Sequence, residues 1–215
     1  MTEQDRPSRA AAVFDALGAS YEEAFARSEP HRRSLEWLLG RLEPGSRVLD
    51  VGSGTGRPTA AVLTAAGHRV LGVDVSPVMV ALARERVPGA EFRCADVREL
   101  PLDEASFDAV CVYFPLLMMG RAEQAEVLRR LVRAVRPGGA VAVATVAADV
   151  EDVPFVFMGQ PVRATSFAAE DFAAVLAGAG LRVLAREEAL FTPDHPDAQP
   201  EPQLFVHGVR DGVRE

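Results

Sequence analysis

The sequence predicts an α/β fold: a mostly parallel seven-stranded sheet with helices on both faces, an antiparallel last strand and an N-terminal helical cap. Three observations predict it. From residue 45 onward, short apolar runs alternate with helical patterns, the order that builds a parallel sheet covered on both sides. The run 140–146 is almost wholly apolar, as a doubly covered strand must be. The last two strand-like runs, 181–190 and 203–209, are separated by a short gap, which favours antiparallel pairing.

The elements follow in order. The first few residues are expected to fray. Residues 10–42 are helical in pattern: Val13, Phe14 and Leu17 share one face, and Leu35, Trp37, Leu38 and Leu39 mark a second helix. Gly18 and Pro30 punctuate this cap, which spans 1–44. The core, 45–215, begins with a strand at 46–51 that runs into a glycine cluster. A helix at 58–66 stops at Gly67, and a second strand covers 69–74. Ser76-Pro77 starts the next helix, which Pro88-Gly89 ends. Strands at 90–95 and 107–113, a helix at 122–135 closed by Pro137-Gly138-Gly139, and the strand at 140–146 come next. A helix at 169–177 precedes the final strand pair. The 215 residues suit one domain.

A formal net charge of −8 argues against a nucleic-acid backbone or an anionic membrane surface as partner. No apolar run approaches the ~20 residues of a membrane span. The start, Met1-Thr2-Glu3-Gln4-Asp5-Arg6, is polar and unlike a secretory signal, so the expected location is the cytoplasm. Cys94 and Cys111 both fall in strand-like runs and are expected to be buried, reduced thiols.

The central signal is Val48-Leu49-Asp50-Val51-Gly52-Ser53-Gly54-Thr55-Gly56: strand, glycine loop, helix. Glycines let a ligand lie against bare backbone at the first strand–helix turn. The dinucleotide spacing G-x-G-x-x-G fails, because residue 57 is Arg57 and the third glycine is Gly56. Asp50, two places before the loop, suits a cationic ligand better than a pyrophosphate. Asp74 and Asp96 follow at the ends of the next two strands, so three carboxylates share one rim. Carboxylates there accept from hydroxyls and amines and offset positive charge.

With Val73-Asp74-Val75-Ser76-Pro77-Val78-Met79, Phe107-Asp108-Ala109-Val110 and Leu131-Val132-Arg133-Ala134-Val135-Arg136-Pro137-Gly138-Gly139, the chain resembles class I S-adenosylmethionine-dependent methyltransferases. The small bacterial small-molecule branch, the type 11 group, is most similar, over about residues 13–210. The resemblance implies a Rossmann-like core, S-adenosylmethionine as methyl donor and S-adenosylhomocysteine as product. It implies that Gly52, Ser53, Gly54, Thr55 and Gly56 form the loop under the methionine moiety, with Asp50 near its ammonium. Asp74 would hold the ribose hydroxyls, and Val75 and Met79 would lie against adenine. Asp96, flanked by Ala95 and Val97, would take the adenine amine. Tyr113 would border the methyl group, and Tyr21 would cover the cofactor from the cap.

Methyl transfer needs a nucleophile held in line with an activated carbon; a general base helps a hydroxyl acceptor, whereas an amine, a thiolate or an activated carbon can react without one. Of four histidines, His68 lies at the opposite rim, His195 in a Pro-rich loop and His207 on the last strand. His31, opening a cap helix, is the candidate base. Asp108, at a strand start, reads as structural. Tyr113-Phe114-Pro115-Leu116 lacks the Asp/Asn-Pro-Pro-aromatic signature of amino methylation and an acidic metal ligand, so no metal is expected. No Glu pair of the kind that grips a guanidinium is present. The runs 114–119 and 154–158 are apolar, and Phe114, Leu117, Met118 and Phe157 are the candidate acceptor contacts. A small apolar or aromatic acceptor, in a monomer or homodimer, is the expected reading. Two rivals remain: a cyclase or regulatory module that binds S-adenosylmethionine without transfer, and an NAD(P)-dependent oxidoreductase. The oxidoreductase is disfavoured by the glycine register and by only two tyrosines, Tyr21 and Tyr113.

Overall fold

The computed structural model describes residues 6–212; the polar start read above, Met1 to Asp5, lies outside them. The cap is three helices rather than two: α1 (Arg6–Leu17), α2 (Ala19–Phe25) and α3 (Glu29–Leu39). Gly18, at φ +49°, breaks the first from the second. Ser28 caps α3, accepting from the His31 backbone N–H at 3.4 Å, with Pro30 in the first turn.

The core runs β1 (Arg47–Val51), α4 (Thr59–Ala65), β2 (Arg69–Asp74), α5 (Pro77–Arg86), β3 (Glu91–Cys94), β4 (Phe107–Tyr113), α6 (Arg121–Ala134) and β5 (Val135–Val146). It continues with β6 (Val153–Phe157), β7 (Gln160–Ala164), α7 (Ala169–Gly178), β8 (Leu181–Phe191) and β9 (Glu201–Arg210). The main sheet has seven strands in the order β3-β2-β1-β4-β5-β9-β8. The first five are parallel and β9 enters antiparallel to β5, as expected. The strand order reverses between β1 and β4, which opens a crevice at their C-terminal ends.

Alternation along each strand sends neighbours to opposite faces. Leu49, Val51, Val110, Val112 and Val143 pack under α6 and α7 against Leu128, Leu131, Phe172 and Leu176. Val48, Val70, Ala109, Cys111 and Ala142 pack under α3, α4 and α5 against Leu38, Leu63 and Val80. Phe172 is 1% exposed. Phe172→Ala is expected to cost about 3–5 kcal/mol, read by urea unfolding.

The apolar run after β5 is not simply pocket wall. It forms the β6–β7 hairpin, turning at Met158 (φ +47°) and Gly159 (φ +78°). The hairpin packs on the cap: Val13, Leu17, Ala24 and Met158 form one buried cluster, with Phe14, Tyr21, Phe25 and Phe157 against it. Cap and hairpin together roof the crevice.

One expectation is corrected here. Cys111 is buried but Cys94 is exposed. β3 is an edge strand, and of its four residues only Phe92 is buried. Among the described residues, no helix is long and apolar enough to cross a membrane.

Candidate functional site

The parallel strands bring the ends of β1, β2 and β4, and the loop after β3, to one rim, and the recess there is built from those segments. It is lined by Gly52 and Gly54 of the glycine loop, by Asp74, Val75 and Met79 after β2, and by Ala95, Asp96 and Val97 after β3. Tyr113 and Phe114 close it from β4, and Tyr21 and Phe14 from the cap. A continuation beneath α2 adds Asp50, Ser53, Thr59 and His31.

Asp50 carries the sharpest electrostatic signal. It is 2% exposed, and its Oδ2 has no hydrogen-bond partner. Burial and the nearby charge of Asp74 push its carboxyl up to about 7. An unpartnered buried carboxylate facing a cavity is a socket for a cationic donor. The Ser53 hydroxyl is likewise buried and unpartnered.

Asp74 is positioned by the backbone around it. Its Oδ2 accepts from Gly54 N–H at 2.8 Å and its Oδ1 from Ser76 N–H at 2.9 Å. Burial raises its pKa, and these backbone N–H groups partly offset the rise. Asp96 is gripped by Arg98, whose Nη2 lies 2.8 Å from Oδ2 and whose Nη1 reaches Glu123 at 2.7 Å. Burial of Asp96 works against its charged form, but the Arg98 hydrogen bonds outweigh it and hold the pKa below the usual range.

The loop glycines divide their work. A Cβ on Gly54 would meet nothing within 4 Å, so that backbone stands bare to the recess. Gly56 instead turns inward, where a Cβ would meet Phe92 and Val87 at 3.0 Å. Thr55 is buried, and its hydroxyl donates to Glu22 Oε2 at 2.5 Å. Thr55 and Gly56 therefore shape the loop from behind rather than lining the recess.

Glu22 of α2 also pairs with Arg86 of α5, and Asp15 of α1 accepts from the Ser76 hydroxyl. These two carboxylates latch the cap onto the rim. Glu22→Ala is expected to weaken ligand binding in the recess about 10-fold, the scale of one charged hydrogen bond, as read by calorimetry.

Tyr113 directs its hydroxyl away from the recess to Ser34 Oγ at 2.9 Å, and Ser34 in turn meets His207 Nε2 at 2.7 Å. His31 stacks against Tyr113 with ring centroids 4.1 Å apart, and its Nε2 lies 3.1 Å from Thr59 Oγ1. Burial lowers its pKa to about 4. The structure thus places His31 in the same continuation of the recess as Asp50 and not on the second cavity described next. Asp108 is tied to Arg47 N–H at 2.8 Å and Arg136 at 2.7 Å at the far rim.

That second cavity, of about 230 Å³, opens beside the recess. It brings together Phe114, Leu117, Met118 and Phe157, the four residues singled out in the sequence. Phe155 and Val162 of the hairpin and Val146 of β5 extend the apolar wall. Tyr21, Phe114 and Met118 border both spaces. Among the lining residues that the sequence did not single out is a carboxylate, Glu201, at the start of β9. Among the described residues no cluster of His, Cys, Asp or Glu side chains could hold a metal ion.

Residues 48–139 match the family model described as a methyltransferase domain. Demethylmenaquinone methyltransferase of Clavibacter sepedonicus is 32% identical over 146 residues, covering 64% of this chain and 58% of that protein. The chain therefore spans less than two thirds of the length of this curated relative. A structure of the Burkholderia thailandensis 1,6-didemethyltoxoflavin-N1-methyltransferase, with its acceptor and S-adenosylhomocysteine bound, matches with a TM-score of 0.75 at 20% identity. It covers 99% of this chain and is itself covered to 92%. The cyclase SpnF has the same architecture, with a TM-score of 0.74 at 21% identity over 95% of this chain and 97% of its own. Glycine loop, rim carboxylates and sheet order accompany the match of residues 48–139 to a methyltransferase domain, and the fold is the one seen in these methyltransferase structures.

Proposed function

We propose that the protein transfers a methyl group from S-adenosylmethionine to a small, predominantly apolar acceptor, without a metal. The observation that carries this reading is the paired cavity: a recess with an unpartnered buried carboxylate adjoins an apolar chamber, and both share the Tyr21, Phe114 and Met118 wall. The residues fit the donor. Asp50 offers its unpartnered Oδ2 to the ammonium, and the bare backbone at Gly54 underlies the methionine chain. Asp74 keeps lone pairs for the ribose hydroxyls, while Val75, Met79, Ala95 and Val97 flank the base beside Asp96. The sulfonium supplies an electrophilic methyl carbon. The protein's part is to place the acceptor behind that carbon and keep water out, which apolar walls do.

The test joins calorimetry to product analysis. Micromolar binding of S-adenosylmethionine and S-adenosylhomocysteine, with release of the latter in the presence of apolar acceptors and not polar ones, is expected. Polar acceptors consumed equally well would overturn the substrate class, and absence of binding would overturn the whole reading. A cytoplasmic location and a monomeric or homodimeric state belong to the same proposal, checked by fractionation and light scattering.

A further inference from the structure

The apolar chamber contains one carboxylate. Glu201 opens β9, which the sheet order inserts beside β5, so the carboxylate arrives at the C-terminal rim next to Val146 and Ala148. Much of the remaining wall is apolar, with Phe25, Phe114, Leu117, Met118, Phe155 and Phe157 among its residues. Among the described residues, the hydrogen bond recorded for the carboxylate comes from Gln203 Nε2 to Oε1, at 2.6 Å. Gln203 is itself buried, with its Oε1 unpartnered, so its amide is fixed by packing and holds Glu201 in place. Two other titratable or charged side chains share the chamber. Tyr21 comes from α2, and Arg163 from β7 is engaged by Asp152. A carboxylate in apolar surroundings needs a reason to be there, because leaving it without a donor is costly.

We propose that Glu201 is the general base for methyl transfer and that the acceptor presents a hydroxyl on an otherwise apolar, ring-sized body. This rests on the methyltransferase reading above. The acceptor oxygen forms its bond to the methyl carbon as the carbon–sulfur bond breaks, and that bond's electron pair stays on sulfur, giving a neutral thioether. The hydroxyl proton passes to the Glu201 carboxylate and leaves to solvent with the product. Burial raises the pKa of Glu201 above the usual carboxylate range, partly offset by the Gln203 hydrogen bond. That brings the base closer to the working pH, where proton transfer is most effective. Tyr21, pushed upward by burial and by the Glu201 charge, stays protonated and does not compete for the proton.

The experiment uses 2-naphthol as probe, with 2-methoxynaphthalene and 2-naphthalenethiol as controls. With protein saturated in S-adenosylhomocysteine, the wild type is expected to prefer 2-naphthol over the ether about 10-fold, the worth of a charge-assisted hydrogen bond. The preference grows with pH as Glu201 ionises. In Glu201→Gln it becomes independent of pH, and in Glu201→Asp the pH dependence returns. With S-adenosylmethionine, Glu201→Gln is expected to lose roughly 10²–10⁴-fold in 2-naphthol methylation, the contribution of a positioned base. The thiol, which ionises unaided, keeps its rate within about threefold because it does not need the base. Naphthol turnover retained in Glu201→Gln, an equal loss with the thiol, or a wild-type preference that does not vary with pH overturns the assignment. Failure of the protein to bind S-adenosylhomocysteine at all would instead remove the reading beneath it.

Discussion

Asp50→Asn is expected to abolish cofactor affinity while making the empty protein more stable above neutral pH. The sign follows from the buried carboxyl, raised from 3.8 to about 7 by burial and by the charge of Asp74. The folded chain holds a proton on Asp50 that the unfolded chain releases near pH 4. Its contribution is therefore fully present below pH 3.8 and is lost as pH rises through about 7. Ionising the empty site costs on the order of 4 kcal/mol at pH 8. Asparagine removes that cost but brings an amide with unmet hydrogen bonds, so the net gain is about 1–3 kcal/mol. His31 and His207, both lowered to about 4 by burial, act in the opposite sense and erode stability as pH falls from 6.5. The difference between wild type and Asp50→Asn isolates Asp50: small at pH 5 and rising through pH 7 in urea titrations. Affinity moves the other way. On the proposed pairing of Asp50 with the ammonium of S-adenosylhomocysteine, binding needs the ionised carboxylate, so wild-type affinity should strengthen on the order of 20-fold from pH 5.5 to 7.5. In Asp50→Asn that slope vanishes and affinity falls at least about 100-fold, as when one partner of a buried ion pair is removed. A variant that binds normally would show that Asp50 does not face the donor's charge.

What the sequence made legible was what lies close along the chain. The three carboxylates at Asp50, Asp74 and Asp96 follow from strand–loop punctuation alone, and all three line the recess. Phe114, Leu117 and Met118 were readable because they leave the rim directly after β4. Contacts that depend on how distant elements dock were not readable. Glu22 reaches Thr55 across 33 residues only once α2 is laid over the glycine loop. Glu201 enters the apolar chamber only because β9 is inserted between β5 and β8. His31 was rightly placed at a helix start, but which cavity it joins is decided by the docking of α3. The β6–β7 turn was hidden because Met158 adopts a left-handed conformation usually marked by Asn, Asp or Gly. Cys94 misled because an apolar run says nothing about which strand is the edge.

Gly52→Ala is expected to be the most damaging single-methyl change in the chain. Gly52 sits at φ +69°, a conformation that costs any other L-residue about 1–2 kcal/mol. Its missing side chain is also where β4's exit segment passes: an added Cβ would stand 2.3 Å from Pro115 Cβ and 2.9 Å from Pro115 Cγ. Proline has no rotamer to swing aside, and Phe114 before it is already held at φ +66°. Either the glycine loop or the Phe114–Pro115 corner must move, at about 1–3 kcal/mol for the overpacking. Both border the recess, so the displacement falls on the donor's position as well as on stability. The expected result is a fall in melting temperature of several degrees, at about 2–4 °C per kcal/mol for a chain of this size. S-adenosylhomocysteine binding should weaken beyond about 100-fold, the loss expected when about 3 kcal/mol of fit is removed. Gly54→Ala is the control that separates the two effects. At φ +51° it carries a similar backbone strain, but its added methyl meets nothing within 4 Å of the protein and projects into the space the ligand needs. It should therefore lose binding as severely as Gly52→Ala at a smaller loss of stability. If the two variants melt together, Pro115 yields to the added methyl, and the close approach of the two loops does not hold the site in shape.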